Sequence, residues 1–195
     1  MSSSRNRLTV LTRHNENTGK QQMLTGEVLS WLKRRVPKEA FLVIGLTEVD
    51  LYPKPEWNFV FGVGSLKERV GVYSLARYAP AFFGSNLPKA EARQIVLRHA
   101  LDVMLHELGH MFGVAHCTRY HCAMNGSNHL GELDARPIHL CPIDLRKAAC
   151  STKLVYLERY HELEAFYERV GLRDEAAFSR QRAEDYLRHT KVPGL

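Results

Sequence analysis

The sequence predicts a mixed α/β (α+β) fold. Three observations carry that expectation. Segments rich in apolar and β-branched residues cluster between residues 41 and 78. Apolar residues at helical spacing dominate the chain after Pro88. The 195 residues suffice for a sizeable core and show no internal repeat, so 1–195 reads as a single domain.

Residues Gln21 to Val36 carry Leu24, Val28, Leu29 and Leu32 at helical spacing, and Pro37 ends that helix. Phe41 to Leu51 reads as one buried strand. Trp57 to Val63 and Val70 to Tyr78 read as two more, with a turn at Gly62-Val63-Gly64. No Gly-Lys-Ser/Thr follows those glycines, which excludes a phosphate loop. Ser85 to Pro88 marks a helix start, and the helix runs through Ile95, Leu101 and Leu105 to Phe112, buried near its end. From Gly113 to Pro142 the pattern is irregular, with turn signals at Asn125-Gly126 and Arg136-Pro137. Leu154, Leu157, Tyr160, Leu163 and Tyr167 then mark an amphipathic helix ending at Gly171. Asp174 is placed to cap a last helix, Glu175 to His189.

The composition, 45% hydrophobic and 25% charged, is that of an ordinary globular protein. The longest apolar runs, such as Phe41 to Gly45, are too short to span a bilayer, so no membrane partner is expected. MSSSRNR leads into no apolar segment of a secretory signal, and the expected location is the cytoplasm. The net charge is +6, but the basic residues are scattered and no nucleic-acid motif accompanies them, so nucleic acid is not an expected partner. Four cysteines are present, Cys117, Cys122, Cys141 and Cys150. Without a signal peptide, and with histidines interleaved, metal ligation is favoured over disulfides.

Chemistry concentrates in HELGHMFGVAHCTRYHCAM, His106 to Met124. His106 and His110 are four residues apart, one helical turn, so both imidazoles reach one metal. Glu107 is offset around the helix, near the metal without being a forced ligand, the place of a general base acting on metal-bound water. Gly113 follows His110 by three residues and His116 follows Gly113 by three. A left-handed glycine ends the helix there and returns His116 as third ligand. Three imidazoles leave a fourth position open on zinc, as catalytic sites do.

The extended histidine motif is followed at once by Cys117, then Cys122, Ala123 and Met124, and later by Cys141-Pro142-Ile143-Asp144. With WNFVFG, VGVYSLARY and RPIHLCPI, this resembles the archaemetzincin family of zinc metallopeptidases over most of residues 40 to 150. The resemblance implies a zincin-type domain of the metzincin kind: a twisted mixed sheet on helices that include the active-site helix, a Met-turn, and C-terminal helices. It implies a catalytic zinc on His106, His110 and His116, Glu107 as general base, and Met124 as the turn methionine beneath the metal. It also implies a second, structural zinc, with Cys117, Cys122 and Cys141 in three of its four ligand positions. Adjacent residues of an extended chain point to opposite sides, so His116 and Cys117 can serve the two metals across one peptide unit. The fourth position departs: Asp144 stands where the family has cysteine. Asp144, Cys150 and solvent are the alternatives, Asp144 favoured over Cys150, with His139 and His121 weaker, and an emptied second site is the remaining outcome. His121 and His129 read as surface residues.

The function expected is zinc-dependent hydrolysis of a peptide or protein by a monomer, aminopeptidase-like or as a narrow endopeptidase. Zinc polarises water and scissile carbonyl, and Glu107 carries the water proton to the leaving amine. Substrate is expected to pair with an edge strand at Val70 to Tyr78, a placement that rests partly on the resemblance. The alternative is a non-catalytic zinc-binding interaction module, against which the intact Glu107 argues. A basic nucleic-acid binder with a zinc knuckle is a third reading, distinguished by salt-dependent binding to phosphates.

Overall fold

Strand pairing in the computed structural model, which describes residues 8–127 and 130–190, is mixed in both of its sheets. The fold is α+β, and the chain divides into two units, residues 1–96 and 97–195, described in turn.

In the first unit, β1 (Thr12–His14), β2 (Gln21–Leu24) and β4 (Asp50–Tyr52) form one sheet in the order β1-β2-β4. β3 (Val43–Thr47), β5 (Gly62–Ser65) and β6 (Val70–Ser74) form the other in the order β3-β6-β5. Each sheet joins one antiparallel and one parallel pair. Helix α1 (Thr25–Lys33) turns Val28 and Leu32 into an apolar cluster with Met23, Leu51, Val70 and Val72.

Several expectations change here. Gln21 to Leu24 is strand, because pairing on both sides outweighs a helical spacing shared with α1. Gln22, fully buried, satisfies its carboxamide by donating to Asp50 Oδ2 at 2.8 Å and the Asn58 carbonyl at 2.9 Å. The expected strand 41–51 breaks into β3 and β4, which belong to different sheets. Thr47 Oγ1 accepts from the Val49 amide at the break, at 3.1 Å. Of Trp57 to Val63 only an isolated bridge at Val60 and the start of β5 pair. Gly62 to Gly64 is strand rather than turn, and the Tyr73 ring occupies the space that a Cβ on Gly62 would need. β6 lies between β3 and β5, its backbone committed on both sides, and 3-10 turns follow it. The edge-strand placement of Val70 to Tyr78 is therefore overturned.

Helix α2 (Lys89–Met111) follows Pro88, whose carbonyl accepts from the Ala92 amide, and contains the boundary between the units. The second unit continues with α3 (Leu130–Ala135), α4 (Pro142–Thr152), α5 (Tyr156–Val170) and α6 (Arg173–Thr190). α5 ends at Gly171 as expected. Asp174 lies inside the first turn of α6 rather than capping it. The irregular segment from 113 to 142 holds α3. Its His129 lies outside the described residues. α4 carries two start signals: Pro142 in its first turn and Cys141 as N-cap, its sulfur accepting from the Asp144 amide. The apolar core of this unit gathers Val114, Ala123, Met124, Leu140, Leu145 and Tyr160. No helix among the described residues is long and apolar enough to cross a membrane.

Candidate metal centre

α2 places His106 and His110 on one face, one turn apart, and ends at Met111. Gly113 follows with φ 82°, the left-handed conformation that reverses the chain, and His116 returns to the helix. Ring centroids are 4.6 Å apart for His106 and His110, 4.8 Å for His110 and His116, and 5.2 Å for His106 and His116. One ring nitrogen from each lies within 4.8 Å of the others. His106 is buried, His110 half-buried and His116 exposed, so the group opens on one side. Glu107 is half-buried on the same turn.

The ring orientations are set by backbone carbonyls. Nδ1 of His106 lies 2.8 Å from the Ala123 carbonyl, and Nδ1 of His110 lies 2.8 Å from the Val114 carbonyl. With each Nδ1–H donating to its carbonyl, both Nε2 atoms present lone pairs, and they face each other at 3.0 Å. In that tautomer both lone pairs are directed at one position, as a shared cation would require. Tetrahedral zinc with Zn–N bonds of about 2.05 Å spaces its nitrogens by roughly 3.3 Å, so these rings fit the metal with small adjustment. Burial, helped by the Arg136 charge and the neighbouring imidazoles and opposed by the Ala123 carbonyl, lowers the His106 pKa to about 4. Burial, His110 and Arg136 lower that of His116 as well. Both rings are thus neutral near pH 7, the state a metal requires.

The turn beneath these rings is tightly packed. Met124 is fully buried against α2 at Gly109, where a Cβ would collide with its Sδ and stand 2.8 Å from its Cε. The Cys117 amide donates to the Met124 carbonyl at 2.9 Å, and the Ala123 amide to the His139 carbonyl at 2.8 Å. Asn125, read from the sequence as a turn signal only, donates from Nδ2 to the Cys117 and Tyr120 carbonyls and accepts from the Cys122 amide.

A second group lies across the 116–117 peptide. Sγ of Cys117, Cys122 and Cys141 and a carboxylate oxygen of Asp144 fall within 4.8 Å of one another. Asp144 Oδ2 is 3.4 Å from both Cys122 Sγ and Cys141 Sγ, and the Cys117 and Cys141 sulfurs are 4.0 Å apart. Tetrahedral zinc would set about 3.6 Å between sulfur and oxygen and about 3.8 Å between sulfurs. Backbone amides aim at the sulfurs: those of Met124 and Cys141 at Cys122, and that of Asp144 at Cys141. Amide donors of this kind favour thiolate. Burial pushes the Cys122 thiol up to about 12 and the Cys141 thiol upward, so a bound cation is what would ionise them. Burial also raises Asp144, but hydrogen bonds from Lys147 and the three cysteines outweigh it and leave the carboxyl below its usual range.

Cys150 is exposed in the last turn of α4, well beyond Asp144 along the helix, and is not in the group. His139 is stacked on Phe178 at 3.7 Å, and His121 is exposed, with Nε2 2.7 Å from the Ala135 carbonyl. Neither joins a metal group.

Sequence reasoning missed Asp102 and Arg136. Both are buried, and Arg136 Nε donates to the Asp102 carboxylate at 3.0 and 3.2 Å. Asp102 precedes His106 by one turn of α2, a helical spacing readable in the sequence. Nothing there assigned it a partner 34 residues away.

The family model for peptidase family M54 matches residues 27–150. The chain belongs to peptidase family M54, the archaemetzincin family. Archaemetzincin-2 of Homo sapiens is 40% identical over 172 residues, which cover 77% of this chain and 48% of the relative. The archaemetzincin of Thermococcus kodakarensis is 36% identical over 116 residues, 60% of each chain. The crystal structure of an archaemetzincin from Methanopyrus kandleri matches 72% of this chain and 71% of its own, at 31% identity and a TM-score of 0.55. A zinc-dependent peptidase from Methanocorpusculum labreanum shares the fold, at 23% identity, 68% and 76% coverage and a TM-score of 0.54. This archaemetzincin chain spans about half the length of the curated archaemetzincin-2 relatives it matches.

Proposed function

We propose that this archaemetzincin chain hydrolyses peptide bonds with a catalytic zinc held by His106, His110 and His116. The single observation that carries the reading is the convergence of three ring nitrogens within 4.8 Å beside Glu107, in a chain of this family. Zinc bound there supplies a Lewis acid to the attacking water and the scissile carbonyl. The chain's own residues do the rest. Glu107 takes the water proton and delivers it to the leaving amine. The Ala123 and Val114 carbonyls hold His106 and His110 in the tautomer that leaves Nε2 free for the metal.

Cys117, Cys122, Cys141 and Asp144 hold a second, structural zinc that pins the segment between α2 and α4. The spacing of the four ligand atoms and the amides directed at two of the sulfurs support it. The substrate is a peptide or protein, met by a cytoplasmic monomer in which residues 1–195 act as one metallopeptidase domain.

A peptide-library cleavage assay tests the activity, with the Glu107→Ala protein as control. Cleavage by the wild type alone is expected, and equal cleavage by both would assign it to a contaminant. Libraries with free and with acetylated N-termini separate aminopeptidase-like cleavage from narrow endopeptidase cleavage.

A further inference from the structure

The side of His106 away from the metal position is closed by an ion pair to which the catalytic mechanism gives no part. The Arg136 guanidinium is 4% exposed and the Asp102 carboxylate is fully buried. Arg136 Nε donates to Asp102 Oδ1 and Oδ2, and Arg136 Nη1 donates to the Asn125 carbonyl at 2.7 Å. The same Nη1 stands 3.0 Å from His106 Nδ1. One side chain therefore reaches the active-site helix, the residue after the turn methionine, and the ring of a metal ligand.

We infer that Arg136, held by Asp102, is a positioning residue for the catalytic metal, tying the 122–126 turn to α2 so that the Ala123 carbonyl orients His106. The inference rests on the zinc reading above. Three features favour this over packing alone. The guanidinium reaches the carboxylate from Nε and the carbonyl from Nη1, a span between separate nitrogens that the single ammonium of lysine lacks. An apolar pair of similar volume would fill the same space without desolvating two charges, so an ion pair here points to a demand beyond stability. Asp102 also balances the guanidinium, so hydrogen-bond donors reach the metal's edge without an uncompensated positive charge opposing a dication.

The test separates stability from positioning. Asp102→Leu/Arg136→Met replaces the pair with apolar groups, and Arg136→Lys keeps charge without the fork. Thermal unfolding is measured first. Zinc affinity of the histidine site is then measured by chelator competition, with zinc per chain determined separately, and kcat and KM follow. The double variant is expected to fold and to lose no more thermal stability than its weaker zinc accounts for, while it holds the histidine-site zinc ten- to a hundredfold more weakly, with kcat reduced and KM little changed. Arg136→Lys is expected to show the same loss of affinity, which keeps the test open should the double variant fail to fold. Wild-type zinc affinity and kcat in whichever of these variants folds would overturn the inference. Should wild type and His110→Ala bind equal zinc, the zinc reading itself fails and the inference falls with it. A weakened site in the variants beside a normal wild type leaves that reading intact and supports the positioning role.

Discussion

His106 and His110 face each other across 3.0 Å between their Nε2 atoms, while a backbone carbonyl takes the Nδ1 of each ring. That relationship is what the proposed zinc site rests on, and in that reading each ring is individually necessary. His106→Ala, His110→Ala and His116→Ala should each remove one zinc per chain by elemental analysis, because a three-ligand set has no spare member. The second zinc should stay in all three.

The contact between Gly109 and Met124 sets a second expectation. A methyl group at position 109 collides with the buried thioether, so Gly109→Ala should cost about 1–3 kcal/mol of stability through overpacking. Met124→Leu, which conserves volume, should cost less than about 1.5 kcal/mol. Urea midpoints check both, and equal midpoints for Gly109→Ala and wild type would contradict the packing described.

The cysteine–aspartate group yields a third. Asp144→Cys should tighten the second zinc and raise the unfolding temperature, because thiolate is the softer ligand and four-coordinate structural zinc favours it. Asp144→Ala should weaken the site, and Cys150→Ser should leave metal content unchanged. One zinc per chain in the wild type, with Cys117, Cys122 and Cys141 all open to thiol reagents, would show the second site to be empty.

The fourth concerns pH. Burial, with His121, Arg182 and Arg159 nearby, lowers the His139 pKa from 6.5 to about 4. Between those values the folded ring stays neutral while the unfolded ring binds a proton. The unfolded state therefore holds more protons, and stability falls as pH drops from 6.5 towards 4. Asp102, raised by burial from 3.8 to about 6 against the pull of Arg136, acts with the opposite sign over most of that window. The His139 contribution is thus read as a difference: in metal-free protein, His139→Gln should lose about 1–3 kcal/mol less than wild type between pH 6.5 and 4. Parallel stability curves for the two proteins would remove the effect.

The grouping of the three histidines was more legible in the sequence than the sheets were. His106, Glu107 and His110 are fixed by helix spacing, and Gly113 supplies the one backbone conformation that returns His116. These are local rules, and the local structure obeys them. β2 and the break between β3 and β4 depend instead on partners far along the chain, and the first four residues of the expected helix were captured by sheet pairing. That Asp144 and not Cys150 stands beside the three sulfurs follows from α4, whose start at Cys141-Pro142 is written in capping chemistry. The Asp102–Arg136 pair could not be read at all, because a buried charge in the sequence looks the same as an exposed one.

The most direct test of the account is a zinc titration of the metal-free protein, following peptide hydrolysis and bound zinc together in wild type, His110→Ala and Glu107→Gln. The account predicts no hydrolysis without metal, recovery in the wild type as the histidine site fills, and no recovery in His110→Ala. Glu107→Gln should bind zinc as the wild type does, with kcat lower by about 10²–10⁴. Hydrolysis that persists in the metal-free wild type, or a full rate in Glu107→Gln, would contradict it.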